Sequence, residues 1–414
     1  MSSHIFDPNG SIPHLSRRTV IHGAGTLLAW AYAPKFAFAA GGKDSRFVTI
    51  ILRGAMDGLQ AVAPVGDPDY AALHAGIALA MDGDHPAIAL DGFFALHPSM
   101  PNFARLYKQN QALVVHAVAT PYRDRSHFDG QDVLETGLAG VSANESGWLN
   151  RALAALPPGE RIGGRAGLSI GSVTPVIMRG SAPVLGWSAP ELPKASDDMS
   201  ARIMDLYRHR DPQLADALQE GLRTDGLAMK AGVAEPGKMR GNEFEQMRIA
   251  ATGAAALMAQ ADGPRIAALS FGGWDTHANE GGATGRLAQL LGGLDNAISA
   301  FEQGLKSVWN NTTILVVTEF GRTAKINGTV GTDHGTATAA FLVGGAVKGG
   351  RIIADWPGLK QTQLYEGRDL APTTDLRSVF KGILGEQFGL SNTVLAEKIF
   401  PGSISVKPIS GLTA

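Results

Sequence analysis

A chain of 414 residues with a net charge of −2 is long enough for one large α/β domain or two smaller ones, and it has no basic balance that would point to nucleic acid. It contains no cysteine, which excludes disulfides and thiolate ligands and leaves His, Asp and Glu to hold any metal. Glycine, at 52 residues, is well above its ordinary share, and much of it follows apolar runs, where turns at strand ends need it.

The N-terminal segment reads as an export signal. Arg17 and Arg18 are followed by the short apolar run Thr26 to Ala33 and then by Ala37-Phe38-Ala39, a small-x-small cleavage pattern. Basic pair, short apolar core and cleavage site in this order are the layout of a twin-arginine signal. The run is too short to span a bilayer permanently. Residues 1–39 are therefore expected to be removed. The mature chain, residues 40–414, is expected to fold before export and to work in the periplasm or outside the cell. The twin-arginine translocase is the expected export partner, and no stable membrane span is expected in the mature chain.

Beyond the signal, short apolar runs end abruptly in polar, glycine-rich loops. Phe47 to Leu52 leads into Arg53-Gly54-Ala55-Met56-Asp57-Gly58, and Ala112 to Ala119 into Thr120-Pro121-Tyr122-Arg123. Residues about 190–262 read as charged helices, an inserted layer or cap on the same domain. Ile266 to Phe271 leads into Gly272-Gly273-Trp274-Asp275-Thr276-His277, Ile314 to Thr318 into Glu319-Phe320-Gly321-Arg322, and Ala339 to Val343 into Gly344-Gly345. Runs that are apolar throughout suit strands covered on both faces. Between them Phe103, Leu106 and Tyr107, and then Leu287, Leu290, Leu291, Leu294, Ile298, Phe301 and Leu305, recur at helix spacing. Alternating strands and helices predict a mainly parallel sheet with helices on both faces, and ligands in such sheets sit beyond the carboxyl ends of the strands.

The polar clusters fall at that end. Asp275 and His277 can converge on one cation from an extended backbone, and Asp333-His334 occupies another glycine-flanked loop. Glu319 and Asp57 each follow a strand. Four acids and two histidines in four strand-end loops make an oxygen and nitrogen set suited to Zn, Mn, Mg or Ca, although each acid alone also suits a helix cap or loop hydrogen bond. Arg53, Arg123, Arg125 and Arg322 in the same loops present planar forks that fit phosphate, sulfate or carboxylate. Ser126, beside His127, suits either a helix N-cap or a nucleophile. His97 and His116 read as structural, and Trp274 as pocket wall or core.

The loops Arg53–Gly58, Arg125–Gly130, Gly273–His277, Thr318–Thr323, Gly331–Gly335 and Thr374–Arg377 together resemble a Tat-exported bacterial domain family of uncharacterised function, itself similar to the alkaline phosphatase and sulfatase superfamily. The resemblance covers nearly the whole mature chain and implies a three-layer αβα sandwich around a mainly parallel central sheet. In that superfamily metal ligands follow the strands in a set order. Asp57 resembles the first, Ser126 the nucleophile at a helix start (Thr120 is the second choice), Asp275 and His277 the spaced Asp and His, and His334 the final His. Two departures stand out. The spaced pair is closer than the usual four-residue step, and the tandem Asp-His position reads Glu319-Phe320, which leaves Asp333 to compensate.

The resemblance and the loop chemistry together imply an exported hydrolase of a phosphate or sulfate ester that depends on one or two divalent metal ions. Asp57, Asp275, His277, Glu319, Asp333 and His334 are its expected ligands, Ser126 its nucleophile, and Arg123 or Arg125 the grip on an anionic small-molecule or glycan substrate. The alternative is a non-catalytic periplasmic protein that binds metal or ligand on the same fold.

Overall fold

The described residues of the computed structural model are 44–143, 146–156, 167–171, 173–188, 197–232 and 242–414. Residues 1–39, read from the sequence as an export signal with its arginine pair, lie outside them. Nine of the described strands form the main sheet: β1 (Arg46–Leu52), β2 (Ala112–Ala119), β3 (Gly167–Ile170), β4 (Val184–Trp187), β5 (Ile266–Phe271), β6 (Thr312–Thr318), β7 (Thr338–Val343), β8 (Arg351–Ile353) and β9 (Thr374–Asp375); the two-residue strands Val62–Ala63, Ile88–Ala89 and Ala95–Leu96 make a separate small antiparallel sheet. Their spatial order is β8-β2-β7-β6-β1-β5-β3-β4, with β9 also pairing with β2. β1 lies parallel to both β5 and β6, β3 parallel to β4 and β5, and β2 parallel to β8 and β9. β7 is antiparallel to both its neighbours, β2 and β6. The fold is thus mixed α/β with a mainly parallel sheet, as the alternation predicts. Strands 167–170 and 184–187 and the reversed direction of 338–343 go beyond what the apolar runs reveal.

Burial on both faces explains the unbroken apolar runs. In β1, Val48, Ile50 and Leu52 enter the core on one side while Phe47 and Ile51 enter the core on the other; in β6, Ile314 and Val316 are divided from Leu315 and Val317 in the same way. The first core is closed by helices α2 (Pro101–Lys108), α7 (Glu243–Ala259) and α8 (Arg286–Gly304), and the second by α4 (Trp148–Ala155) and α9 (Leu376–Phe388). Between α4 and α7 run α5 (Asp197–Arg210) and α6 (Pro212–Lys230), so the described part of the charged stretch is largely helical, and α7 puts Met247, Ala251, Ala254 and Leu257 into the first core. No described helix is long and apolar enough to cross a membrane.

Because β1, β2, β5 and β6 share one direction, the loops that follow them meet at one end of the sheet. Tight backbone passages bring them together. Gly54 has φ +118°, and a Cβ there would lie 2.6 Å from the Asp275 amide nitrogen. A Cβ on Gly331 would lie 2.4 Å from the His277 carbonyl carbon. Only glycine lets the loop after β1 touch the loop after β5, and lets residues 331–335 pass behind His277.

Candidate metal centre

α3 (His127–Thr136) starts eight residues after β2 ends, and His127 is its first residue. The His127 ring stacks on Phe320 at 5.1 Å, and its Nδ1 donates to Glu319 Oε1 at 2.9 Å. Glu319 is fully buried, and the same oxygen accepts from the Gly54 amide at 2.9 Å and from Gln131 Nε2 at 3.1 Å. His127 and Gln131 are one helical turn apart, so one face of α3 grips one carboxylate.

The other two imidazoles are anchored in the same way. His277 Nδ1 donates to Asp333 Oδ1 at 3.0 Å, and His334 Nδ1 donates to the Arg125 carbonyl at 3.0 Å. An imidazole whose Nδ1 carries the proton presents a bare lone pair at Nε2. The three Nε2 atoms turn toward Asp275. Its Oδ1 lies 3.0 Å from His277 Nε2 and 3.2 Å from His334 Nε2, and its Oδ2 lies 3.4 Å from His127 Nε2. His127 Nε2 is buried and has no hydrogen-bond partner. One ligand atom from each of His127, Asp275 and His334 lies within 4.8 Å of the others, and among the described residues this is the one group of three or more that could hold a metal ion. Ligands of a tetrahedral ion with bonds of about 2.0–2.1 Å stand roughly 3.3 Å apart, close to the spacings around Asp275. The residues fit a divalent cation.

Electrostatics support the arrangement. Burial raises the Asp275 carboxyl, but the Arg322 guanidinium, whose Nη1 donates to Oδ1 at 2.6 Å, more than offsets it and holds the group below the usual carboxylate range. Arg322 is itself buried, and its Nε also reaches Thr332 Oγ1 at 3.3 Å. The Glu319 hydrogen bond foremost raises His127, making its ring more basic and a stronger donor to a cation. Burial foremost, followed by the charge of His127, lowers His334 and keeps it neutral. Asp333 is held low, first by a hydrogen bond from Asn327 and then, against burial, by one from His277.

The expected ligands therefore separate into roles. Asp275 and His334 belong to the cluster, and His277 touches both. Glu319 and Asp333 stand behind imidazoles as their acceptors. Asp57 is not in the cluster: its Oδ1 caps the short helix α1 (Gly58–Ala61) by accepting from Gln60 N at 3.0 Å, and its side chain meets Glu280. His127 is a member that the residue pattern did not assign, because the sequence pairs it with Ser126 whereas the fold pairs it with Glu319, 192 residues away. The signal available was an imidazole opening a helix just after a strand-end loop.

The arginines are mostly engaged. Arg53 pairs with Glu135 at 2.6 Å, and Arg125 pairs with Asp369 at 2.8 Å and with Glu366. Arg123 Nη1 donates to the Thr120 and Tyr122 carbonyls of its own turn. Thr120 is buried. Ser126 occupies the N-cap position of α3 without making a capping bond, and its amide donates to the Tyr122 hydroxyl at 3.2 Å. Trp274 is fully buried core. His97 and His116 are structural. His97 Nε2 donates to the Gly282 carbonyl at 2.9 Å, and His116 Nε2 to the Val62 carbonyl at 3.0 Å.

Solved structures similar to this chain share little sequence with it. Ps i-CgsB in complex with k-i-k-neocarrahexaose is 10% identical, over 88% of this chain and 77% of that one, with a TM-score of 0.40. A protein in the alkaline phosphatase superfamily from Vibrio parahaemolyticus is 12% identical, over 89% and 71%, with a TM-score of 0.41. The phosphonate monoester hydrolase of Agrobacterium radiobacter is 11% identical, over 84% and 74%, with a TM-score of 0.36. No curated protein sequence matches significantly. Residues 44–399 match the family described as "Protein of unknown function (DUF1501)", a span that takes in every residue of the cluster, and the chain belongs to that family.

Proposed function

We propose that this protein is an exported, metal-dependent hydrolase of a phosphate or sulfate ester. The observation that carries the reading is the convergence of three Nδ1-anchored imidazoles on the ionised Asp275. His127, Asp275 and His334 would hold one divalent ion, with His277 beside them. A donor set of imidazoles with a carboxylate favours Zn over Mg and Ca. A bound ion of this kind supplies Lewis-acid polarisation of an ester oxygen. Glu319 and Asp333 orient two of the rings, and Arg322 keeps Asp275 charged and aimed.

Ser126 supplies the attacking hydroxyl in this reading. It stands one residue before His127, at the start of a ten-residue helix whose free N–H groups favour an anion. Of the two arginines beside it, Arg125 is neutralised by two carboxylates. Arg123 has no carboxylate hydrogen-bonded to it among the described residues, and we assign it the non-bridging oxygens of the substrate. Export by the twin-arginine route rests on Arg17 and Arg18 and is tested by replacing both with lysine, which should leave the protein in the cytoplasm.

The test of function is turnover of aryl phosphate and aryl sulfate esters by metal-loaded protein. Ser126→Ala should lower it by orders of magnitude at unchanged metal content, compared at a temperature where both proteins are folded. Near-parental turnover by that variant would move the nucleophile elsewhere. Metal-loaded parent that is inert on both ester classes would point to a ligand-binding protein.

A further inference from the structure

Behind the metal cluster lies a second, fully buried polar group that the proposed reaction does not use. Asp57 is 1% exposed and Glu280 is 0% exposed. Each carboxyl has one satisfied oxygen. Asp57 Oδ1 accepts from Gln60 N at 3.0 Å, and Glu280 Oε2 accepts from Thr332 Oγ1 at 2.7 Å. The remaining oxygens, Asp57 Oδ2 and Glu280 Oε1, are buried without a donor. The two carboxyls are close enough for the Asp57 charge to act directly on Glu280.

Two ionised carboxylates side by side inside a protein are costly, because no water screens them, and the nearby Arg322 charge offsets only part of that cost for Glu280. Among the described residues no lysine or arginine hydrogen-bonds to either group. Tyr70, whose hydroxyl donates to Gln60 Oε1 at 3.1 Å, and His74, tilted against the Tyr70 ring at 4.8 Å, face the Asp57 side. Burial foremost, against the pull of the Asp57 charge, lowers His74 and disfavours its charged form. On the other side Thr332 connects Glu280 to Arg322, and Arg322 connects to Asp275. Burial foremost, followed by the neighbouring Asp57 charge, pushes Glu280 well above the usual carboxyl range.

We propose that Glu280 is a positioning residue of the metal centre, acting on Asp275 through Thr332 and Arg322, and that it does so as half of a carboxyl pair with Asp57 in which one proton is shared. The shared proton satisfies both orphaned oxygens and leaves Glu280 Oε2 free to accept from Thr332. The Thr332 hydroxyl then presents its lone pairs to Arg322 Nε, which fixes the guanidinium that aims Asp275. The inference rests on His127, Asp275 and His334 forming a cation site.

Two sets of measurements on the full chain test it. In the first, Zn affinity is measured by competition with a chelating dye. Glu280→Ala should weaken it about tenfold or more, the scale seen when a supporting partner is lost, and Glu280→Gln should restore it, since the amide can accept from Thr332 and donate to Asp57. The second is a melting-temperature cycle at pH 7. Asp57→Asn and Glu280→Gln each replace the shared proton by an amide hydrogen and should melt near the parent. The double variant sets two NH₂ groups face to face and should lose more than the sum of the single changes.

If both single variants melt higher than the parent and the double highest of all, the pair is doubly ionised and the shared proton is wrong. Parental Zn affinity in Glu280→Ala overturns the positioning role. A parent that binds no Zn removes the metal centre itself and the positioning role with it, while the melting cycle still decides the shared proton.

Discussion

His277 Nε2 and His334 Nε2 face each other at 2.9 Å, and the Nδ1 atom of each ring is already tied to an oxygen. Two imidazole lone pairs at that distance repel unless a proton or a cation lies between them. A divalent ion resolves the conflict for both rings and also for His127. His334→Ala should therefore weaken Zn binding by more than the roughly 10–100-fold that loss of a supporting partner causes. His277→Ala, which removes a ring outside the three-residue group, should weaken it less. Chelator competition on folded variants checks the order, and the reverse order would place His277, not His334, at the centre.

Glu319 is the fixed point for His127. Removing its carboxylate leaves the Gly54 amide and His127 Nδ1 buried without their acceptor, at about 1–3 kcal/mol each. Glu319→Ala should both melt lower and bind Zn about 10–100-fold more weakly. Glu319→Gln keeps an acceptor and loses the charge, so it should fall between. Thermal melts and Zn titrations of the two variants side by side measure this, and equal Zn affinity in all three proteins would mean that Glu319 does not support the site.

Gly331 holds the loop carrying Asp333 and His334 against His277. A methyl group there must push the two strands of chain apart, since it would meet backbone and not the flexible end of a side chain. Gly331→Ala should cost about 1–3 kcal/mol in stability, as overpacking does, and should weaken Zn binding by separating His277 from Asp333. Denaturant melts with and without Zn should show a smaller Zn-dependent shift than in the parent.

Much of this frame is legible in the sequence. The runs 47–52, 112–119, 266–271, 314–318 and 339–343 are apolar throughout because both faces of the sheet are covered, and the Leu287-to-Leu305 period marks the helix that covers one of them. Strand direction is not written in such runs, so the reversal of 338–343 is invisible until the sheet forms. The fates of individual side chains are decided by partners distant in sequence. Asp57 and Glu319 are both acids at strand ends, yet one meets Glu280 and the other meets His127. His127 and Arg322 likewise take their roles from Glu319 and Asp275.

His116 supplies a pH test away from the metal centre. Burial lowers its pKa from 6.5 to about 4, and its neutral form is fixed by Nε2 donating to Val62 and Nδ1 accepting from the Ala117 amide at 2.8 Å. A depressed folded-state pKa means that this stabilisation is complete above about pH 6.5 and is lost as pH falls toward 4, by about 3 kcal/mol in total. His116→Phe should be less stable at neutral pH and should show a shallower fall in unfolding free energy between those limits. An unchanged slope would mean that His116 is protonated in the folded protein.

The most direct measurement is the zinc content of protein loaded with Zn and then freed of unbound metal. The parent should retain about one equivalent, as for a single site with three protein ligands. A His127→Ala, His334→Ala double variant with parental secondary structure should retain almost none. A parent without metal, or a folded double variant that keeps its zinc, would contradict the metal centre.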